Sequence, residues 1–315
     1  MSLLSYETSQ TMLGLLEVDA LRSQNVYLGE SLGRVLFEDV VAKYNDPEFP
    51  TAAMDGYAVL HEDLQSGRIE IIGHNPAGSD EKRTLKSGEC IKTFTGSMMP
   101  HGADTLIPIE NVTVENGAII INELVPLAHA VRPVGEGYGA GDVLIKRGTK
   151  IGFAEIGVMA ALGHVMVKVA QKPRVAVVST GSEILDLGVF SDNPAQIRSS
   201  NNYTLAALFE QAGAEVVQLG TVGDDRVSIT KAFQNALACA DIVVSTGGVS
   251  VGDYDFVKDI VPSLGAKVIF QGVNIKPGQH VMVAQRADKF IVSLPGFAYS
   301  STVTFILYVA PLMAR

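Results

Sequence analysis

From Pro173 onward, runs of strand length alternate with runs of helical period. "RVAVVSTG" leads to "NNYTLAALFEQAG", "EVVQLGTV" to "RVSITKAFQNALACA", and "DIVVSTGG" to "DYDFVKDIVPSLG". The strand-like "KVIFQGV" and "KFIVSLPG" follow, and the helix-like "YSSTVTFILYVAPLMA" closes the chain. Such alternation predicts a doubly wound α/β sheet with helices on both faces. Lys172-Pro173 marks a plausible linker before it.

The N-terminal half reads differently. Residues 5–24 form one amphipathic helical pattern, and 26–150 break into short strands and many turns. Asn116-Gly117, set between the strand-like "NVTVE" and "AIIINEL", is a strong two-residue hairpin signal. "RIEIIGH", "ECIKTFTG", "ADTLIPIE" and "DVLIKRGTKI" are further strand candidates, and 151–164 reads as a helix ending at Gly163. A chain of 315 residues exceeds most single cores, so two or three domains are expected.

Composition narrows the function classes. Apolar residues make up 47% and charged residues 18%, the balance of a folded protein with a large interior. A net charge of −10 argues against broad binding to nucleic acid or an anionic membrane. An anionic small ligand remains compatible, because local N–H groups and a few cations outweigh global charge. Cys90 and Cys239 lack metal-ligand spacing, which points away from a disulfide framework and towards the cytoplasm. The opening "MSLLSYETSQTMLGLLEVDAL" has no basic leader region, and no uninterrupted apolar run reaches membrane-spanning length. The six histidines are scattered, against a zinc site, and no G-x-S-x-G supports a serine hydrolase.

Three strands end in polar, glycine-bearing turns: "STGSE" (179–183), "STGGVS" (245–250) and "SLPG" (293–296). Ligands on open α/β sheets bind beyond the carboxyl ends of strands, so the three turns could share one crevice. Glycine equally serves a tight strand-to-helix turn with no ligand. The second turn is no Walker loop and no dinucleotide fingerprint, and Asp253 and Asp255 follow it. Asp55, in "FPTAAMDGYAV", is a turn residue or a ligand beside small neighbours. Glu183, Asp224 and Asp225 fit helix N-caps as well as a site, and Asp255 sits in the first turn of its expected helix. Together such acids could hold a hard cation such as Mg²⁺. Lys276 and Arg198 read either as solvated surface or as cations offsetting phosphate charge.

The order of motifs carries more than any one of them. "FPTAAMDGYAV", "TFTGSMMPHGADTLIPIE", "VRPVGEGYGAGDVLIKRG", "VVSTGSEIL", "QIRSSNNYTLAALFEQAGAEV", "GTVGDD", "STGGVSVGDYDFV", "IKPG" and "LPG" occur in sequence. Over roughly residues 5–313 the chain resembles the molybdopterin molybdenumtransferase family, that is, MoeA and the matching part of gephyrin. The resemblance implies a discontinuous N-terminal linker domain (4–44 and 140–170), an inserted β-rich domain (45–139), and a Mog-like doubly wound α/β/α domain (173–315). It implies insertion of molybdate into adenylyl-molybdopterin with release of AMP, assisted by Mg²⁺ or a similar divalent cation. It also implies a homodimer whose site lies between subunits, and a Mog-type adenylyltransferase delivering the substrate.

Carried over residue by residue, the resemblance makes Asp55, Asp224 and Asp255 catalytic metal ligands and Lys276 a catalytic cation. Thr95, Thr180, Gly181 and Glu183 become substrate-binding positions, as do Gly247, Gly248 and Ser250 with Pro295 and Gly296. The turn from Thr246 to Ser250 is expected to hold the pterin and its phosphate. The residues alone do not rank Thr95 or Glu183 above their neighbours. Departures stand at Gly137, where the family carries an acid, and at Gly272, where it carries a lysine. Gln279 and His280 replace a frequent Lys-Pro, and Phe297 and Ala298 replace Asn-Pro. The alternative reading is a catalytically weak molybdopterin-binding or scaffold protein. The family's small C-terminal β-barrel is absent from the 315 residues.

Overall fold

The computed structural model describes residues 3–18, 22–79, 83–249 and 255–314. Two compact units make up the chain: Tyr27–Val167, which is β-rich, and Met1–Val26 with Lys168–Arg315, which is α/β. The first element, helix α1 (Tyr6–Gly14), belongs to the α/β unit, and the Ser5 hydroxyl caps it by accepting from the Thr8 N–H at 3.1 Å. The helix stops ten residues short of the expected residue 24. Gly14 is a poor helix former, and Leu16 reaches the core from backbone that has already left the helix.

The main sheet of the β-rich unit has six strands: β1 (Gly56–Val59), β2 (Arg68–Asn75), β3 (Glu89–Thr93), β4 (Thr105–Pro108), β5 (Val112–Glu115) and β6 (Ala118–Ile121). They lie in the order β4-β1-β3-β2-β6-β5, with only β2 and β3 parallel. Alternation along β1 sends Tyr57 and Val59 to one core with Ile69, Cys90 and Ile119, and Ala58 to another with Ile91 and Leu106. Asn116 and Gly117 both take positive φ (47° and 75°), closing the expected hairpin between β5 and β6. Helix α2 (Phe153–Ala161) starts where Glu155 Oε2 accepts the Gly152 N–H at 2.8 Å, and Gly163 at φ 76° follows its end.

The α/β unit has strands β7 (Arg174–Thr180), β8 (Glu215–Val222), β9 (Ile242–Thr246), β10 (Lys267–Gln271), β11 (Met282–Arg286) and β12 (Lys289–Leu294). Helices α3 (Asn201–Gln211), α4 (Arg226–Cys239), α5 (Val257–Ser263) and α6 (Ala298–Thr304) connect or follow them. The sheet order is β8-β7-β9-β12-β11-β10; β8, β7, β9 and β12 are parallel and β11 runs against its neighbours. One face buries Leu205, Phe209, Phe305 and Tyr308 against Val175, Val177 and Val244; the other buries Ile229, Phe233 and Ile260 against Ala176, Val178 and Val243. Period-2 burial thus gives each face of the sheet its own helices, the doubly wound arrangement expected. After β7 the chain goes to β8 on one side and returns to β9 on the other, so the strand order reverses between β7 and β9.

Two elements depart from expectation. Strand β11 is not signalled in the sequence, because Val281–Ala284 are buried throughout and show no alternation. Its hairpin with β12 turns on Ala287-Asp288, with Ala287 at φ 53°, where no glycine advertises it. Helix α5 begins only at Val257, so Asp255 precedes the helix and does not occupy its first turn. At the C-terminus α6 passes through a π turn (Phe305–Val309) into α7 (Ala310–Met313). Pro311 has no N–H for the Leu307 carbonyl, which instead accepts from Gln10 Nε2 of α1 at 2.9 Å.

Candidate functional site

The three glycine turns meet at the carboxyl edge of the parallel strands. Gly247 has φ 87°, and a Cβ there would stand 2.6 Å from the Thr180 carbonyl oxygen. A Cβ on Gly296 would lie 3.6 Å from the Gly247 Cα. The turn after β9 therefore touches those after β7 and β12, and Gly247 is one position where no side chain fits. The Gly247 N–H donates to the Leu294 carbonyl at 3.1 Å, tying the second turn to the third.

A buried hydroxyl lattice supports this edge. Ser179 Oγ donates to Asn202 Oδ1 at 2.6 Å and lies 3.0 Å from Thr246 Oγ1. Thr180 Oγ1 donates to the Thr246 carbonyl at 3.3 Å, and Ser245 Oγ donates to Ser293 Oγ at 2.9 Å. Asn201 Nδ2, at the start of α3, donates to the Gly296 carbonyl at 2.7 Å. Buried and satisfied polar groups hold a unique geometry, so the turns are preorganised. Sequence reasoning missed Asn201 and Asn202; their signal was a pair of amides at a helix start beside a glycine turn.

Asp224 follows β8 and faces the first turn. Its Oδ2 accepts the Ser182 N–H at 2.8 Å, while the Ser182 hydroxyl accepts the Asp224 N–H at 3.0 Å. Asp225 is the residue that caps α4, accepting the Ser228 N–H at 2.8 Å; hydrogen bonds from Ser228 hold its carboxyl below the usual range. The two adjacent acids thus divide into one cap and one turn residue. Glu183 caps no helix, because Ile184–Leu185 pair in parallel with Ile197–Arg198. Arg198 donates through one guanidinium nitrogen to the carbonyls of Asp186 (3.4 Å) and Val189, clasping that loop. Between the ends of β7 and β8 lies an open depression of about 380 Å³ lined by Gly181, Ser182, Ile184, Asp186, Thr221 and Gly223. The Ser199 hydroxyl, in the segment leading into α3, is buried with no partner among the described residues.

The Val257 N–H donates to the Gly248 carbonyl at 3.1 Å, which keeps the start of α5, two residues after Asp255, against the second turn. Ser250 and Asp253 lie outside the described residues. Lys276 follows β10, which runs parallel to β12, so it stands exposed at the same edge of the sheet, beyond β11. Gly272 has φ 77°, its carbonyl accepts the Leu4 N–H at 3.2 Å, and a Cβ would meet Leu3 at 3.0 Å. A lysine there would strain the turn and crowd the N-terminal segment. Gln279 is exposed and His280 half-buried next to the same turn.

In the β-rich unit Asp55 and Thr95 come together. The Thr95 N–H and hydroxyl donate to Asp55 Oδ1 at 2.9 and 2.7 Å. These bonds, the backbone one foremost, hold the Asp55 carboxyl below the usual carboxylate range. The hydroxyls of Thr51 and Ser97 are buried nearby in sequence without a partner among the described residues. Gly137 does not adopt a positive φ, but a Cβ there would stand 2.6 Å from Asp46 Oδ2. The described residues contain no group of three His, Cys, Asp or Glu side chains placed to hold a metal.

A doubly wound sheet with three glycine turns at its switch point defines the kind of α/β protein that binds ligands beyond the carboxyl ends of its strands. Residues 4–163 match the MoeA N-terminal region (domain I and II), and residues 176–315 match the probable molybdopterin binding domain. A molybdopterin molybdenumtransferase of Nostoc is 38% identical over 292 residues, 90% of this chain and 67% of that protein. One from Haemophilus influenzae is 34% identical over 296 residues, 93% of this chain and 73% of its own length. Two solved structures of the molybdopterin biosynthesis MoeA protein from Pyrococcus horikoshii are 31% and 28% identical, with TM-scores of 0.89 and 0.85. They cover 100% and 99% of this chain, which spans 80% and 79% of theirs. The chain belongs to the MoeA family of molybdopterin molybdenumtransferases.

Proposed function

We propose that this chain is a transferase of molybdenum cofactor biosynthesis that inserts molybdate into adenylyl-molybdopterin and releases AMP. The observation that carries the reading is the contact of the Thr180-Gly181, Thr246-Gly247-Gly248 and Pro295-Gly296 turns at the switch point. Turns with no Cβ in the way let the pterin phosphate approach closely, and the hydroxyl lattice beneath keeps them in place without rearrangement. The Gly181 and Gly247 N–H groups are themselves engaged by the Val222 and Leu294 carbonyls. Asp224, braced by Ser182, lies beside the first turn and Lys276 at the same edge, which suits one carboxylate and one cation around a phosphate anhydride. Glu183 and Asp255 flank the first and second turns and complete the polar rim. Asp55, held below the usual carboxylate range by Thr95, is the acid that the proposed homodimer would bring from the other subunit.

Mg²⁺ usually binds through one or two carboxylates with phosphate oxygens supplying the rest, and Asp224 is a carboxylate of that kind beside the first turn. Asp224 and Asp255 are the residues that would hold it in the α/β unit; bound there, it would polarise the anhydride phosphate. The decisive experiment is to incubate the protein with adenylyl-molybdopterin, Mg²⁺ and molybdate and to measure AMP. Molybdate-dependent AMP release is expected; tight binding of the pterin with no AMP would identify a scaffold.

A homodimer is part of the proposal. Helix α2 is almost wholly apolar, yet of its residues only Met159 is buried, and Phe153 is 89% exposed. Val165 and Met166, just beyond it, are also exposed, as a surface made for a second copy would be. Light scattering should give twice the chain mass, and Phe153→Glu should halve it. A Mog-type adenylyltransferase is the proposed source of substrate, and the cytoplasm the proposed compartment. Among the described residues no helix is long and apolar enough to cross a membrane.

A further inference from the structure

Phe297 is an anomaly of the site edge. It follows Pro295-Gly296 directly, after three strand residues, Val292, Ser293 and Leu294, that are fully buried, yet its own side chain is 83% exposed. Tyr299, two residues on, is 74% exposed. A phenylalanine left in water contributes nothing to the core. The backbone around it is far from loose. The Phe297 carbonyl accepts the Ser301 N–H at 2.9 Å, Asn201 holds the Gly296 carbonyl, and Gly296 rests on Gly247. The ring is thus presented from a fixed base at the carboxyl end of β12, one strand from the Gly247 turn.

We infer that Phe297 is a substrate-binding residue that stacks on the planar pterin of the substrate while the glycine turns hold its phosphate. This rests on the proposed function. An exposed aromatic ring one strand from a glycine turn suits a ligand with both a flat heteroaromatic ring and an anionic ester. Stacking of this kind is tolerant of ring identity and is lost on replacement by an aliphatic of similar volume. The side chain makes no proton transfer and touches no bond that breaks, so it acts on affinity and orientation alone.

The chain contains no tryptophan, which makes a direct optical test available. The probe is an oxidised, fluorescent pterin carrying a phosphate ester, titrated into the full chain. Phe297→Leu should weaken its binding about tenfold, equivalent to about 1.4 kcal/mol, while Phe297→Tyr retains it. With adenylyl-molybdopterin, Phe297→Leu should raise KM and leave kcat unchanged. Phe297→Trp should give an emission that the pterin phosphate quenches and inorganic phosphate does not. Wild-type affinity in Phe297→Leu, together with lost binding in Gly247→Ala, overturns the stacking role and leaves the site intact. Failure of the wild-type chain to bind the pterin phosphate overturns both the stacking and the functional reading beneath it.

Discussion

At the scale of single residues, hydrogen bonds and missing Cβ atoms decide more than charge does. Asp55 keeps its carboxylate because Thr95 donates two bonds to one oxygen. A carboxyl with a lowered folded pKa contributes stability above the ordinary carboxylate range and loses it as pH falls through the lowered value. Thr95→Val should therefore move the Asp55 titration up towards the ordinary range, read from its carboxyl carbon shift by NMR, and move the acid-side loss to higher pH. Gly137 tempts an engineer to restore the family's acid. The added Cβ would stand 2.6 Å from Asp46 Oδ2, the end of a half-buried side chain that can swing away, and 3.2 Å from the Asp46 carbonyl oxygen. Gly137→Asp should therefore lower stability by no more than about 1 kcal/mol by thermal melting. Asp46→Asn in the same chain should recover part of that loss, because like charges no longer face each other. Cys90 is buried and its thiol is pushed up to about 12 by desolvation, so a thiol reagent at neutral pH should label Cys239 alone in the native protein.

At the scale of elements, the π turn shows how one substitution-sensitive position is compensated from another part of the unit. Pro311 strands the Leu307 carbonyl, and Gln10 on α1 takes it up. Gln10→Ala should lower stability by about 1 kcal/mol, seen as a reduced denaturant midpoint with an unchanged slope. The Ser9 hydroxyl, 2.9 Å from the Tyr308 hydroxyl, is the second polar tie between the same helices. Around the site, α3 plays the corresponding part: Asn202 anchors the β7 end and Asn201 the β12 turn.

At the scale of the whole molecule, Asp55 and Asp255 belong to different compact units. A homodimer that builds each site from two chains makes a distinctive prediction. Asp55→Asn and Asp255→Asn proteins, each inactive alone, should regain activity when co-refolded. Random pairing makes about half the dimers mixed, and each mixed dimer has one intact site, so roughly a quarter of sites should be restored. Recovery near zero, with mixed dimers confirmed by mass spectrometry, would sink the shared-site proposal.

Periodicity and turn chemistry were enough to foresee the doubly wound half, the Asn116-Gly117 hairpin, and the helix ending at Gly163, because each is set by local backbone preference and by which face is apolar. The ordered motifs carried the family. Strand β11 stayed hidden because a run buried on both sides has no alternation to read, and its turn at Ala287 lacks the usual residues. The length of α1 and the start of α5 were misjudged because helical patterning says where a helix is possible, while its ends depend on what the neighbouring chain covers. Which of Asp224 and Asp225 caps α4, and which faces Ser182, could not be read from adjacent letters. Nor could the closeness of Asp46 to Gly137, or the rigid base under an exposed Phe297. These depend on distances between residues remote in sequence, and only the folded chain brings such residues within hydrogen-bonding or van der Waals reach.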